Sequence, residues 1–173
     1  MTTVLYDGRN LHADRRIVSA GFPSVITDTG TKLFRSPCNC FALGVGGILP
    51  NEDELNEYFK FAYHLLACRH KNEATDRGSL KSVGVGNFKF KDPDDLSFIA
   101  MSDTHAVRVS DGRYHPQTNA ATFLGTGGRF AYAAYWVTHD PAIAMTTAAK
   151  LDSLSSPVFD TIPANTLSPF TLG

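Results

Sequence analysis

What most constrains the fold of this chain is the order of its segments: strands come in adjacent pairs, and helices come together. Residues 4–6 and 9–13 flank Asp7-Gly8, a dipeptide suited to a two-residue hairpin turn. A second pair, 32–35 and 40–45, flanks a turn at Ser36-Pro37 and runs into Gly46-Gly47. A helix follows, with Asn51 as its cap and Glu54 placed to complete a capping box. Leu55, Tyr58, Phe59, Ala62, Leu65 and Leu66 fall on one face of that helix. Residues 70–93 are polar and punctuated by Gly78, Gly84, Gly86 and Pro93, which predicts a loop-rich segment. Residues 96–101 and 104–109 read as another hairpin, and 121–124 as another strand. Gly125-Thr126-Gly127-Gly128 opens a second helix bearing Phe130, Ala134 and Val137. Asp140-Pro141 caps and starts a third, with Ile143, Thr147 and Leu151 inward. After Pro157 an irregular tail is expected. A doubly wound sheet would alternate strand and helix; this order instead predicts an α+β fold with helices packed on stacked antiparallel sheets.

The 173 residues suffice for one domain with a full core, spanning 1–173, and are short for two. Sixteen basic against seventeen acidic residues leave a net charge of −1, so no general electrostatic case for nucleic acid arises. No apolar run reaches the length of a membrane span, and Met1-Thr2-Thr3 begins no signal peptide, so a cytoplasmic protein is expected. Three cysteines, an odd number, argue against a disulfide framework. Cys38-x-Cys40 with Cys68-x-His70 would supply four zinc ligands, but structural zinc sites space their close ligands by two to four residues. Packed thiols are the expectation, with no metal and no cofactor.

The glycine-rich segments Gly44-Val45-Gly46-Gly47 and Gly125-Thr126-Gly127-Gly128 each lie between a strand and a helix, where exposed N–H groups can hold a phosphate or an oxyanion. The third glycine of the dinucleotide fingerprint is absent, its two candidate positions holding Leu49 and Phe130, and no phosphate-binding G-x-x-x-x-G-K-[ST] loop occurs. Removal of Met1 would leave Thr2 with a hydroxyl and a free α-amine on one residue, a nucleophile carrying its own base. Asp14 ends one predicted strand and Lys32 opens another, and both approach Thr2 if the two hairpins share a sheet.

These residues occur in a known order. Met1-Thr2-Thr3-Val4, Leu11-His12-Ala13-Asp14-Arg15-Arg16, Thr31-Lys32-Leu33-Phe34, Gly44-Val45-Gly46-Gly47 and Phe123-Leu124-Gly125-Thr126-Gly127-Gly128 together resemble the proteasome β-subunit family, nearest to its bacterial peptidase that works with a ring ATPase. The resemblance implies a four-layer αββα sandwich of N-terminal nucleophile hydrolase type. It also implies Thr2 as nucleophile, Asp14 and Lys32 as its activating pair, and Gly46 as the oxyanion N–H. Thr126 would hydrogen-bond near the threonine amine, and Asp152 and Ser155 would match the family's late Asp and Ser. Phe34, Gly44 and Ile48 would line the substrate pocket and favour apolar side chains. The implied partners are a peptide or unfolded protein as substrate, further copies in a homo-oligomeric ring, and an ATPase unfoldase. Two alternatives stand beside this reading: a catalytically silent proteasome-like assembly protein that keeps Met1, and an N-terminal nucleophile amidase acting on a small amide.

Overall fold

The computed structural model describes residues 2–18, 26–117 and 120–172. In chain order the elements are β1 (Val4–Tyr6), β2 (Asn10–Asp14), β3 (Ile17–Val18), β4 (Ile26–Thr27), β5 (Leu33–Arg35), β6 (Phe41–Val45), α1 (Glu52–His70), β7 (Gly78–Ser79), β8 (Phe98–Ser102), β9 (Ala106–Ser110), β10 (Arg113–Gln117), β11 (Thr122–Leu124), α2 (Gly128–Thr138), α3 (Pro141–Leu151) and β12 (Phe159–Pro163). Short 3-10 turns occupy Leu80–Val83, Val85–Asn87, Pro93–Asp95 and Ala164–Thr166. No helix among the described residues is long and apolar enough to cross a membrane.

Two antiparallel sheets carry the fold. One has four strands in the order β11-β1-β2-β12 and the other six in the order β5-β6-β8-β9-β10-β7. Strand alternation gives each sheet two apolar faces. Val4, Leu11, Ala13, Leu33, Ala42, Ile99, Met101, Leu124 and Ile162 meet between the sheets. Leu43, Val45, Phe98, Val107 and Val109 point the other way, onto Phe61, Ala62, Leu65 and Leu66 of α1. On the far side of the four-stranded sheet, Leu5 packs against Ala131, Ala144, Met145 and Ala148 of α2 and α3. The layers are therefore α1, six strands, four strands, then α2 with α3.

Helix α1 begins where its cap predicts: Asn51 Oδ1 accepts from Glu54 N at 2.9 Å, and Glu54 Oε2 accepts from Asn51 N at 3.0 Å. Asp140 caps α3 through Ala142 N and Ile143 N. The inward faces of the last two helices differ from expectation. Val137, Ile143 and Leu151 are 79%, 48% and 60% exposed, and small residues (Ala131, Ala144, Ala148) with Met145 make the contacts instead. Close packing of α2 on α3 selects small side chains at the crossing and turns the bulky ones outward. Five strands were not legible: the two-residue β3, β4 and β7, and the longer β10 and β12. β10 was hidden by Pro116 and His115, and β12, in the tail expected to be irregular, pairs along β2 from Phe159↔Asp14 to Pro163↔Asn10. Cys38 and Cys40, expected as packed thiols, form a disulfide in the β5–β6 turn, while Cys68 is free.

Candidate active site

The site is built at the start of β1. Thr2, Thr3, Asp14 and Lys32 are polar yet buried. Antiparallel pairing of β1 with β2, extended by a bond from Asp14 N to Thr3 O, brings the end of β2 beside the chain's second and third residues. Asp14 Oδ1 accepts from Thr3 N at 2.6 Å and from Lys32 Nζ at 2.8 Å. Its Oδ2 accepts from Arg16 N at 3.1 Å and Ser156 N at 3.3 Å. Burial pushes the Lys32 ammonium below the ordinary lysine range, against the pull of Asp14. Thr2 Oγ1 is buried without a hydrogen-bond partner among the described residues, next in sequence to this anchored backbone. Met1 lies outside the described residues.

A second cluster abuts the first. The turn between β11 and α2 passes so close to the start of β1 that a side chain on Gly125, at φ +80°, would sit 1.7 Å from Thr2 O. A Cβ on Gly127 would lie 2.0 Å from Thr3 Oγ1 and 2.1 Å from Ser155 Oγ. The space those glycines leave is filled by hydrogen bonds. Thr126 Oγ1 donates to Asp152 Oδ2 at 2.7 Å, Ser155 Oγ donates to the same oxygen at 3.0 Å, and Ser155 Oγ meets Thr3 Oγ1 at 2.5 Å. Burial alone would raise the Asp152 pKa. The hydroxyls of Thr126 and Ser155 and the N–H of Leu154 outweigh it and hold the carboxyl below the usual aspartate range, so it is ionised at neutral pH.

The structure thus gathers Thr2, Asp14, Lys32, Thr126, Asp152 and Ser155, and places the remaining predicted residues differently. Gly46 is nearby, against Leu124, but its N–H donates to Ser97 O at 2.8 Å, so it is engaged in the ladder rather than presented to a substrate. Phe34, Gly44 and Ile48 do not form one pocket. Phe34 packs on the α1 side of the sheet. Gly44 lies on the opposite face, where a side chain would meet Val4 and Leu11 between the sheets. Ile48 is 92% exposed. Pairing of Leu33 with Gly44 and Phe34 with Leu43 explains the split, because neighbouring pairs on a ladder face opposite ways. A cavity of about 650 Å³, lined by Tyr6, Asn10, Ser102, Asp103 and Leu167, opens at the other end of the sheets and holds none of these residues.

Sequence reasoning missed Thr3 and Ser156, whose contributions are backbone donors and a hydroxyl that carry no motif. It also read Gly125 and Gly127 as a possible anion cradle, whereas they are points of close approach. Their spacing around Thr126 was the available signal.

No family model matches the chain, and no curated protein matches its sequence. Solved structures do match. HslV from Trypanosoma brucei superposes with a TM-score of 0.66 at 18% identity, over 92% of this chain and 97% of that one. BPH from Thiobacillus denitrificans superposes with a TM-score of 0.62 at 15% identity, over 93% and 95% of the two chains. The same BPH in complex with epoxomicin gives 0.61 at 13% identity, over 97% and 99%. With its two antiparallel sheets flanked by helices, this chain has the four-layer fold of HslV, that of the N-terminal nucleophile hydrolases.

Proposed function

We propose that the chain is a threonine-type endopeptidase whose nucleophile is Thr2, freed by removal of Met1. The observation that carries the reading is a buried Thr2 hydroxyl with no hydrogen-bond partner among the described residues, one residue before Thr3, whose N–H bonds Asp14 of the buried Asp14–Lys32 pair. In this reading Thr2 Oγ attacks a peptide carbonyl carbon as the α-amine takes its proton. Lys32, held by Asp14, supplies positive charge that favours the developing alkoxide. The tetrahedral intermediate collapses to a Thr2 ester, the leaving amine takes the proton back, and water activated by the α-amine hydrolyses the ester. Asp152, bridged by Thr126 and Ser155, orients the hydroxyls around the N-terminus. Oxyanion binding by Gly46 requires its N–H to turn away from Ser97 O.

The reading extends to a homo-oligomeric ring that acts on peptides or unfolded proteins, with an ATPase unfoldase as partner. The fold shared with HslV supports it. The engaged Gly46 N–H favours the second reading, a silent assembly protein that keeps Met1.

Intact mass and active-site labelling separate the two. The peptidase predicts a species lacking Met1 that a peptide epoxyketone or boronate modifies at Thr2, with Thr2→Ala losing hydrolysis by about 10³-fold or more. A retained Met1 with no labelling sinks it. Sedimentation tests the ring, and a stable monomer counts against it.

A further inference from the structure

The six-stranded sheet is two strands wider than its neighbour. β12 and β2 lie over β5 and β6, and β11 lies over β8, so β10 and β7 overhang and β9 lies at the border. Ala106, on the inner face of β9, belongs to the core between the sheets. Alternation therefore puts Arg108 and Ser110 on that same face. Cross-strand pairing adds His115 opposite Arg108 and Arg113 opposite Ser110. Arg113 in turn faces Ser79, and continuing that register sets Arg77 beside His115. Three arginines, a histidine and two hydroxyls thus share one face. Phe123 of β11 stands at its border, its ring 5.4 Å from the Arg108 guanidinium carbon.

Two donors on this ledge have nothing to bind. Arg108 Nε and Ser110 Oγ are buried without hydrogen-bond partners among the described residues. A buried donor left unpaired is costly, so such a pair calls for an acceptor. Charge points the same way. Burial, then Arg108, Arg77 and Arg113, depress the His115 pKa, with Asp111 alone opposing. One carboxylate does not balance three guanidinium groups.

We propose that this ledge is a binding site for a phosphate-type dianion, held by Arg108, Ser110 and His115 and flanked by Arg77 and Arg113. A dianion fits better than a monocarboxylate because two negative charges are needed to approach balance, and the guanidinium fork donates to its oxygens in pairs. The site is separate from the Thr2 cluster and does not depend on the peptidase reading.

The test is a titration of the full chain with inorganic phosphate at constant ionic strength, following the His115 ring resonances by NMR, assigned by their loss in His115→Gln controls. A saturating shift is expected. Arg108→Gln raises the apparent Kd about tenfold, the effect of losing one charge-assisted contact, and Lys60→Gln on α1 leaves it unchanged. Since Arg108 is half-buried, the exposed pair Arg77→Gln/Arg113→Gln provides a second variant, expected to raise Kd severalfold without disturbing the fold. A shift linear in phosphate, an equal response to acetate, or a Kd unchanged in both arginine variants overturns the proposal.

Discussion

Four donors converge on Asp14, from the residue before β1, from the residues after β2, from the segment before β5 and from the segment before β12. Its charge is what makes Lys32 tolerable in the interior. Asp14→Asn keeps the shape but strands a buried ammonium, and is expected to cost roughly 3–5 kcal/mol in urea denaturation. Asp14→Leu combined with Lys32→Met should recover part of that loss while abolishing any activity at Thr2. Asp7 makes a separate, pH-readable contribution. Burial works against its charge, but hydrogen bonds from His12, Asn10 and the Arg9 and Asn10 N–H groups bring its pKa from 3.8 down to about 2. Because the folded value is the lower one, its stabilisation is complete above about 3.8 and disappears as pH falls through about 2. Asp7→Asn should flatten the acid limb of the stability curve by an amount on the order of 2 kcal/mol, measured by denaturation between neutral and acid pH. At this scale the pairing of Asp14 with Lys32 was legible, because a carboxylate and an ammonium are complementary by residue type. Phe34, Gly44 and Ile48 were not, because a strand's facing direction depends on register, and register is not written in any single residue.

Among the elements, the turn between β11 and α2 decides whether the site forms. Gly125→Ala would force a methyl into the Thr2 carbonyl and hold a left-handed φ, so a loss of at least ~2 kcal/mol and of Thr2 labelling is expected. Gly86→Ala is the control: a methyl there meets nothing within 4 Å, and stability should change by less than about 1 kcal/mol. The helix caps at Asn51 and Asp140 were readable, since local hydrogen bonding fixes them, whereas the first hairpin turns at Gly8-Arg9, one residue beyond the expected Asp7-Gly8, with Asp7 N donating to Asn10 O. The faces of α2 and α3 were not readable. Helical spacing marks which residues are neighbours, but Val137 and Ile143 show that tertiary packing chooses which stripe goes inside. β12 escaped notice for a related reason: its pairing partner β2 lies at the other end of the sequence.

Across the whole molecule, layering followed from segment order alone, while the unequal widths of the two sheets did not. That inequality leaves β10 and β7 without a strand over them on one flank, and the turned-out Val137, Ile143 and Leu151 of α2 and α3 are exposed on another. In the proposed ring, Val137→Glu on that second flank is expected to shift sedimentation toward smaller species without lowering the melting temperature by more than a few degrees. If the assembly is unchanged, that flank is not a subunit contact.

The sheet orders also bear on synthesis. The six strands of the wider sheet all come from residues 33–117, so it can close while the rest is still being made. The narrower sheet joins early and late strands, and the polar cluster brings Ser155 and Ser156, just before β12, to meet Thr3 and Asp14. The cluster beside Thr2 therefore cannot form until the segment around Ser155 has been made. On the proposed reading, a Thr2 nucleophile would stay unassembled until β12 and the segment before it have docked.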